Sequence, residues 1–259
     1  MWRSAKDLMG YEAETTDGTR APVEDFYFDD HHWSVRYAVL STGSWLTGRQ
    51  VLAAPNTFGD TDEATHTLRL TLSKKQVENS PPISSDRPVS RQQEAALATY
   101  YGWTPYWTVP PLAGTGFTQN LPGVTPVPSF EQRRLAAGNW KGDPHLRSVQ
   151  EVTGYRLEAK DGDIGRVTDV IVSNDDWSVR FLVADTGSWL TNHPVLLSPH
   201  WIEAIRWEDR HVSLDLTREQ IRRSPSYNPT EPVNGDLERQ LFDYYGRPHP
   251  LPLGAPASR

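Results

Sequence analysis

The chain contains the same segment twice, and this duplication constrains its fold more than any other feature. Residues 3 to 103 recur at residues 147 to 247 with a constant offset of 144 and no gap, and 35 of the 101 paired positions are identical. Some segments are identical over several residues, as in Thr42-Gly43-Ser44-Trp45-Leu46-Thr47 and Thr186-Gly187-Ser188-Trp189-Leu190-Thr191. An internal repeat is one structural unit used more than once. We therefore predict two copies of one fold, at residues 1–103 and 147–247.

Within each copy the apolar residues alternate with a period of two, which is typical of half-buried strands. One strand of the first copy runs through Trp33, Val35, Tyr37 and Val39. The alternation predicts that these odd positions face the core. It also predicts that Arg36, and Arg180 in the second copy, point outward.

Turn and cap residues mark where the strands and helices end. Asp17-Gly18 and Asp161-Gly162 separate strand-like runs and predict turns, because Asp and Gly tolerate the positive backbone angles of tight hairpins. A hydroxyl followed three residues later by Gln, at 73–76 and 217–220, is a capping box and predicts a short helix in each copy. A second helix, the arm, is expected at roughly residues 90–101 and 234–245.

Five or six short strands are too few for an open sandwich and suit a small closed barrel. The expected fold is mainly β with short helices: two tandem small antiparallel β-barrels, each followed by a helical arm. The even positions of the central strands, Ala38, Leu40, Leu182 and Ala184, are apolar although they oppose the predicted core face. Something must cover them, so we expect the two copies to pack as a pseudo-twofold pair, held at high effective concentration by the linker.

Residues 104–146 have no counterpart in the repeat and contain seven prolines and five glycines. That composition predicts a linker without a core of its own. Its large apolar groups, such as Trp107 and Phe130, favour a linker that is ordered by packing. Residues 248–259 are expected to be a flexible tail.

Composition narrows the functional classes. The chain has no cysteine, which excludes disulfides and thiolate chemistry and mildly favours a reducing compartment. No apolar run has the length of a signal peptide core or a membrane span, so we expect a cytoplasmic chain without a transmembrane segment. The net charge of −7 repels phosphate backbones at long range, which makes nucleic acid an unlikely partner.

The second copy resembles the PRC-barrel family in residues spread along its length. They are Gly154-Tyr155, Asp161-Gly162, Gly165-Arg166-Val167-Thr168-Asp169, Trp177 through Gly187, Val195-Leu196-Leu197 and Leu216 through Ile221. The first copy matches at the same positions, and the two matches cover about four fifths of the chain. The family is named for the photosynthetic reaction-centre H subunit, and its barrel also forms the C-terminal domain of a ribosome maturation factor. The resemblance implies a docking module and not an enzyme.

The two copies depart from each other in two places. Gly165 is replaced by Ala21 in copy one, and the apolar segment 201–207 is replaced by the acidic segment 57–63. We therefore expect a looser, more acidic edge in copy one. We also expect neither the membrane anchor of the reaction-centre subunit nor the partner domain of the ribosome factor.

Residues suited to catalysis or metal binding are sparse. The adjacent His31-His32 is the closest histidine pair, and copy two replaces it with Asp175-Asp176, so a polar hairpin tip is the favoured interpretation over a zinc site. Acidic pairs such as Asp29-Asp30 could act as acid and base, but they occupy positions typical of solvated turns. There is no glycine-rich phosphate loop and no Gly-x-Ser-x-Gly elbow. We predict no enzyme activity, no cofactor and no metal.

The candidate interaction surface consists of aromatic and arginine side chains that recur in both copies. Its residues are Trp45, Trp189, Arg36, Arg180, Tyr100, Tyr101, Tyr244 and Tyr245. Exposed aromatic anchors are what binding surfaces use. The competing interpretation is that each Trp folds back over its own barrel or the other lobe, and that the tyrosines pack within the molecule.

Three functions remain open at this point. The first is a protein-binding or scaffolding module with an unknown protein partner. The second is a ribosome- or RNA-associated factor, in which the ten tryptophans act as stacking platforms. The third is a small-molecule binder in the groove between the lobes, which predicts a deep pocket with convergent polar groups.

Overall fold

The computed structural model describes residues 2–42, 49–80, 97–103, 145–187, 194–206 and 209–249. The protein is mainly β with short helices, as the sequence predicted, and its strands form two seven-stranded sheets. The sheets are not wholly antiparallel as predicted, because residues 12–14 pair with 67–69, and residues 156–158 with 211–213, in the parallel direction. None of the helices in these ranges is long and apolar enough to span a bilayer.

Copy one supplies seven strands and two helices with complete bounds. The strands are β1 (Trp2–Ser4), β2 (Glu12–Glu14), β3 (Arg20–Asp29), β4 (Ser34–Ser41), β5 (Gln50–Ala53), β6 (Phe58–Asp62) and β7 (Thr67–Leu70). The helices are α1 (Ala5–Leu8) and α2 (Lys74–Glu78). A turn of 3-10 helix lies at Pro55–Thr57, and residues 97–101 are the described part of the first arm.

Copy two repeats these elements in the same order. The strands are β8 (Leu146–Ser148), β9 (Arg156–Ala159), β10 (Gly162–Ser173), β11 (Val179–Asp185), β12 (Pro194–Leu197), β13 (Ile202–Arg206) and β14 (His211–Leu214). The helices are α3 (Val149–Val152), α4 (Arg218–Arg222) and the second arm, α5 (Gly235–Tyr245), with a 3-10 turn at Pro199–Trp201. The predicted linker boundary cuts β8, because Leu146 is already part of that strand.

Local signals in the sequence located the helices well. Both predicted capping boxes are present, with Ser73 capping α2 and Thr217 capping α4. The second arm begins after the cap residue Asn234 and ends before Gly246, close to the predicted range of 234–245. Gly18 has the positive φ angle, 78°, that a tight turn requires.

The first strand of each copy belongs to the sheet of the other copy. Within copy two the order is β12-β11-β10-β9-β14-β13, and β1 of copy one pairs with the far end of β10. Within copy one the order is β5-β4-β3-β2-β7-β6, and β8 of copy two pairs with the far end of β3. The registers are equivalent: Arg3 is opposite Val172, and Arg147 is opposite Phe28. Each copy therefore completes the other.

A carboxylate fixes each exchanged segment. Asp169 accepts hydrogen bonds from the Ser4 hydroxyl (2.5 Å) and the Lys6 backbone N–H (3.1 Å). Asp25, 144 positions earlier, accepts the corresponding bonds from Ser148 (2.5 Å) and the Gln150 backbone N–H (3.1 Å). These bonds satisfy backbone donors at the start of α1 and α3, which have no partner within the helix.

The two copies also meet directly at Ser34 and Ser178, which form an antiparallel bridge. Trp33 and Trp177 have left-handed backbone angles, with φ of 52° and 54°. Non-glycine residues rarely adopt such angles. Here each turns its carbonyl toward the other copy: the Val179 N–H donates to Trp33 O (2.7 Å) and the Val35 N–H donates to Trp177 O (2.8 Å).

The hydrophobic core is continuous across the copies. One cluster holds buried side chains from both, and the rings of Phe26 and Trp177 stack across the boundary at 5.9 Å between centroids. Trp2 lies against Phe181, with ring centroids 6.1 Å apart. The copies therefore share an interior and do not merely touch at their surfaces.

The predicted core face of the central strand was wrong in part. The even positions Ala38 and Leu40 belong to the main core, whereas Tyr37 and Val39 lie in a second cluster with Leu97 of the arm and the exchanged Leu146. A bulge causes the change of phase, since Tyr27 pairs with Tyr37 but Phe28 pairs with Val35. Both faces of this strand are buried, and the other copy supplies part of the cover.

Candidate functional site

The two tryptophans of the predicted surface, Trp45 and Trp189, lie outside the described residues. Specific hydrogen bonds hold the two residues that flank segment 43–48. Both the N–H and the hydroxyl of Thr42 donate to Arg49 O, at 3.1 and 2.7 Å. The Arg49 guanidinium in turn donates to the carbonyls of Glu78 (2.6 Å) and Ser80 (2.7 Å). The segment that carries Trp45 thus starts and ends at a base tied to the C-terminal end of α2.

The paired tyrosines divide into one exposed and one packed residue in each copy. Tyr100 and Tyr244 are 39% and 38% exposed. Their hydroxyls donate to the carbonyls of Gln76 and Gln220, both at 2.9 Å, so each also holds its arm against the preceding short helix.

The other two tyrosines face the interior. Tyr101 stacks on Trp103 at 4.3 Å, and Tyr245 lies 4.3 Å from the ring of the buried Trp201. Burial raises the pKa of Tyr101 to about 12, and burial also raises the pKa of Tyr245. Neither ring is available to a partner in the way that those of Tyr100 and Tyr244 are.

The two arginines do not extend freely outward as the alternation predicted. Arg36 donates to Asp29 at 3.0 Å, and only 17% of its side chain is exposed. Arg180 donates to Asp176 at 3.0 Å, and its guanidinium lies 5.0 Å from the centre of the Trp2 ring. The exchanged strand β1 brings Trp2 over Arg180. In copy one, Arg36 is the extra residue of a bulge in β4, and the alternation of inward and outward side chains is interrupted there. Arg180 therefore belongs to the contact between the copies, whereas Arg36 is held by a carboxylate of its own copy.

A cavity of about 460 Å³ opens between the copies beside Arg180. We call it the histidine groove. Copy one contributes the β3–β4 turn with His31, His32 and Trp33, and copy two contributes strand β11 with Arg180. The remaining wall comes from the 3-10 turn with His200 and from Glu238 on the second arm.

The charged groups of the histidine groove are held by specific contacts. The His32 ring nitrogen Nδ1 lies 2.8 Å from Asp29 Oδ2. Burial opposes ionisation of Asp29, but hydrogen bonds from His32 and Arg36 outweigh it and keep the pKa of Asp29 below its usual value. Burial and the charge of Arg180 lower the pKa of His200. Burial raises the pKa of Glu238, and the nearby charge of Arg180 opposes this only in part.

A second cleft of about 680 Å³ lies between the N-terminal segment of copy one and residues 227–233 of copy two. Trp2, Tyr11 and Tyr227 contribute aromatic walls, and Arg3 forms an ion pair with Glu63 at its rim. Burial is the main cause of the raised pKa of Tyr11 and of Tyr227. No group of three or more His, Asp or Glu side chains in the described ranges is arranged to hold a metal ion.

Comparison with known proteins adds no family. No protein-family model matches the chain, and no curated protein matches it. The resemblance to the PRC-barrel family thus rests on the residues of the two copies alone and stays a prediction.

Two features of this region were missed by sequence reasoning. The exchanged segments depend on Ser4 with Asp169 and on Ser148 with Asp25. Both the serine and the aspartate are identical in the two copies, which was the available signal. The histidine groove was missed because its walls come from four separate segments, and from the sequence alone the difference between His31-His32 and Asp175-Asp176 indicates only a polar hairpin tip.

Proposed function

We propose that this protein is a non-enzymatic tandem PRC-barrel scaffold that binds protein partners with both of its copies. The observation that carries the proposal is the reciprocal exchange of β1 and β8, which joins the copies into one body. The sequence contains the hexapeptide Thr-Gly-Ser-Trp-Leu-Thr twice, at 42–47 and 186–191. Two identical segments, one in each of two joined copies, suit bivalent binding, in which the second contact forms at high effective concentration.

The short connection between two strands of each copy supports a closed barrel. In copy two, β12 and β13 are at opposite ends of the hydrogen-bonded order, yet only residues 198–201 connect them. Six strands laid flat would separate these ends by roughly 24 Å, at about 4.8 Å per strand spacing. A connection of four residues reaches at most about 19 Å, at 3.8 Å per Cα step. The sheet must therefore curl, and residues 54–57 impose the same limit in copy one.

Tryptophan substitutions test the proposal. The full-length chain is crosslinked in cells of its native source, the attached protein is identified and purified, and its Kd is measured for W45A, W189A and the double variant. Each single variant should weaken binding by 10-fold or more, as loss of an aromatic anchor does, and the double variant should weaken it further. The control is W107A, which removes a tryptophan from the linker that has no counterpart in the repeat.

Two outcomes would contradict the proposal. In one, all the variants, including the double, bind the partner with the Kd of the unsubstituted chain. In the other, crosslinking recovers RNA, and binding to it strengthens steeply as salt is lowered, which supports a ribosome- or RNA-associated factor instead.

A further inference from the structure

The duplication supplies an internal reference for the histidine groove, because the pseudo-twofold arrangement creates an equivalent position on the other side of the molecule. There, Asp175 and Asp176 replace His31 and His32, and Asn56 replaces His200. Phe58 takes the place of Ile202, and its ring packs edge-on against Trp177 at 4.7 Å. Equivalent segments of the two copies form both positions, but their side chains differ in chemistry. One position carries imidazoles, and the other carries carboxylates and the ring of Phe58.

Hydrogen-bond donors and apolar surface are both present in the histidine groove. Arg180 and the imidazoles of His31, His32 and His200 supply donors. The Arg180 Nε is buried and has no hydrogen-bond partner within the described residues. Trp33, Pro199 and Ile202 supply apolar wall. A cavity of about 460 Å³ with a few convergent polar groups has the size and character of a small-molecule site.

We propose that the histidine groove binds a small organic anion, with its carboxylate or phosphate head at Arg180 and the histidines and its apolar part against Trp33 and Ile202. The residues that line this site are different from the two tryptophans, Trp45 and Trp189, that we propose to bind protein. Binding tightens as the pH falls.

The sign of the pH dependence follows from the groups around the groove. At neutral pH the Asp176 carboxylate compensates Arg180, Asp29 faces His32, and Glu238 adds a negative charge. His145 lies against His31 with ring centroids 5.6 Å apart, and it bonds Asp30 at 3.0 Å. Acidification removes the negative charge of Glu238, whose pKa burial raises, and adds positive charge at His200, whose pKa burial and the charge of Arg180 lower. Both changes occur on acidification and both favour an anion.

Glu238 is the group that opposes an anion at neutral pH. No ion pair to its carboxylate is present within the described residues, although Arg180 and His249 lie close enough to influence its charge. Replacing it with Gln keeps its shape and removes the charge. The E238Q variant should therefore bind the anion more tightly at pH 7.5 and show a weaker dependence on pH.

The experiment uses the full chain with benzoate as the probe, because its carboxylate stays ionised at both pH values, and phenol as the uncharged reference. Isothermal titration at pH 5.5 and 7.5 gives the Kd, and NMR of the histidine ring protons locates the site. We expect benzoate to bind at least 10-fold more tightly at pH 5.5 and to shift the His31, His32 and His200 signals. Phenol should bind weakly at both pH values.

Three variants separate this site from surface binding. H200N and H31D/H32D copy the residues of the equivalent position, and each should weaken benzoate binding at pH 5.5 by 10-fold or more. H66N is the control, because His66 is exposed, lies outside the histidine groove and has a φ of 47° that Asn tolerates. Circular dichroism verifies folding of each variant.

The proposal is overturned if benzoate fails to bind at pH 5.5, or if H200N and H31D/H32D bind it as H66N does. An E238Q chain with unchanged Kd at pH 7.5 would refute the pH mechanism. These results are independent of the tryptophan variants, so failure of this site and failure of the protein-binding function are distinguishable.

Discussion

Removing the carboxylate of Asp169 or Asp25 should destabilise the whole molecule, because each carboxylate joins one copy to the exchanged segment of the other. In D169A the Ser4 hydroxyl and the Lys6 N–H lose their acceptor. A hydrogen bond to a charged group contributes about 1.5–3 kcal/mol. Taking the lower end for each bond, we expect D169A to lower the free energy of unfolding by about 3 kcal/mol, and D25A to lower it by a similar amount.

The Asn variant separates the hydrogen bonds from the charge. D169N retains an acceptor for the Lys6 N–H and should cost about 1 kcal/mol, in the range of one neutral hydrogen bond. Burial, opposed in part by the Ser4 hydrogen bond, raises the pKa of Asp169. The folded protein therefore holds this proton more tightly than the unfolded chain. The stability advantage of the unsubstituted protein over D169N should then be largest at acid pH and shrink as the pH rises through the raised pKa.

Urea unfolding followed by tryptophan fluorescence and circular dichroism measures these differences. D60A, which alters an exposed carboxylate of strand β6, is the matched control and should change the free energy of unfolding by less than about 0.5 kcal/mol. The reasoning is refuted if D169A and D25A both unfold within about 0.5 kcal/mol of D60A.

Two further predictions concern the backbone and the linker. G165A should lower the free energy of unfolding by about 3 kcal/mol or more in the same urea titration, because a Cβ there would lie 1.9 Å from Asp185 O at a φ of 138°. G235A is the control: a Cβ at Gly235 meets no atom within 4 Å, so this variant should be neutral or slightly stabilising. Cleavage at a protease site inserted between Gly123 and Val124 should leave two fragments that co-elute on size exclusion, because each holds a strand of the other's sheet. Separate elution of the fragments without denaturant would contradict the exchange.

The parts of the fold that follow from neighbouring residues were predictable from the sequence. The capping boxes at Ser73 and Thr217 and the second arm depend on side chains three or four positions apart, and their positions were correct. The contrast between Gly165 and Ala21 was noted, and the structure supplies its reason. Gly165 has a φ of 138° beside a bulge, while Ala21 continues β3 in regular pairing with Ala13.

The parts that depend on distant residues were not predictable. The strand that contains Trp2 could pair with its own sheet or with that of the other copy. The same pattern of apolar and polar residues suits both pairings, so the sequence does not distinguish them. The bulge between Val35 and Tyr37 exchanges which side chains of β4 face the main core, and no residue type at that position predicts a bulge. The pseudo-twofold contact was inferred from the apolar Ala38 and Leu40, but these face the main core, and the exchanged Leu146 covers Tyr37 and Val39 instead.

Because both copies belong to one chain, the two grooves between them can differ in their residues. In a homodimer of a single copy, every substitution would appear at both symmetry-related positions. Here positions 31–32 and 175–176 are encoded separately, so one groove can carry histidines while the other carries aspartates. The contacts that hold the copies together, through Asp25 and Asp169, are nevertheless the same on both sides. Symmetry is thus kept where it stabilises the molecule and lost in the groove where we place a ligand.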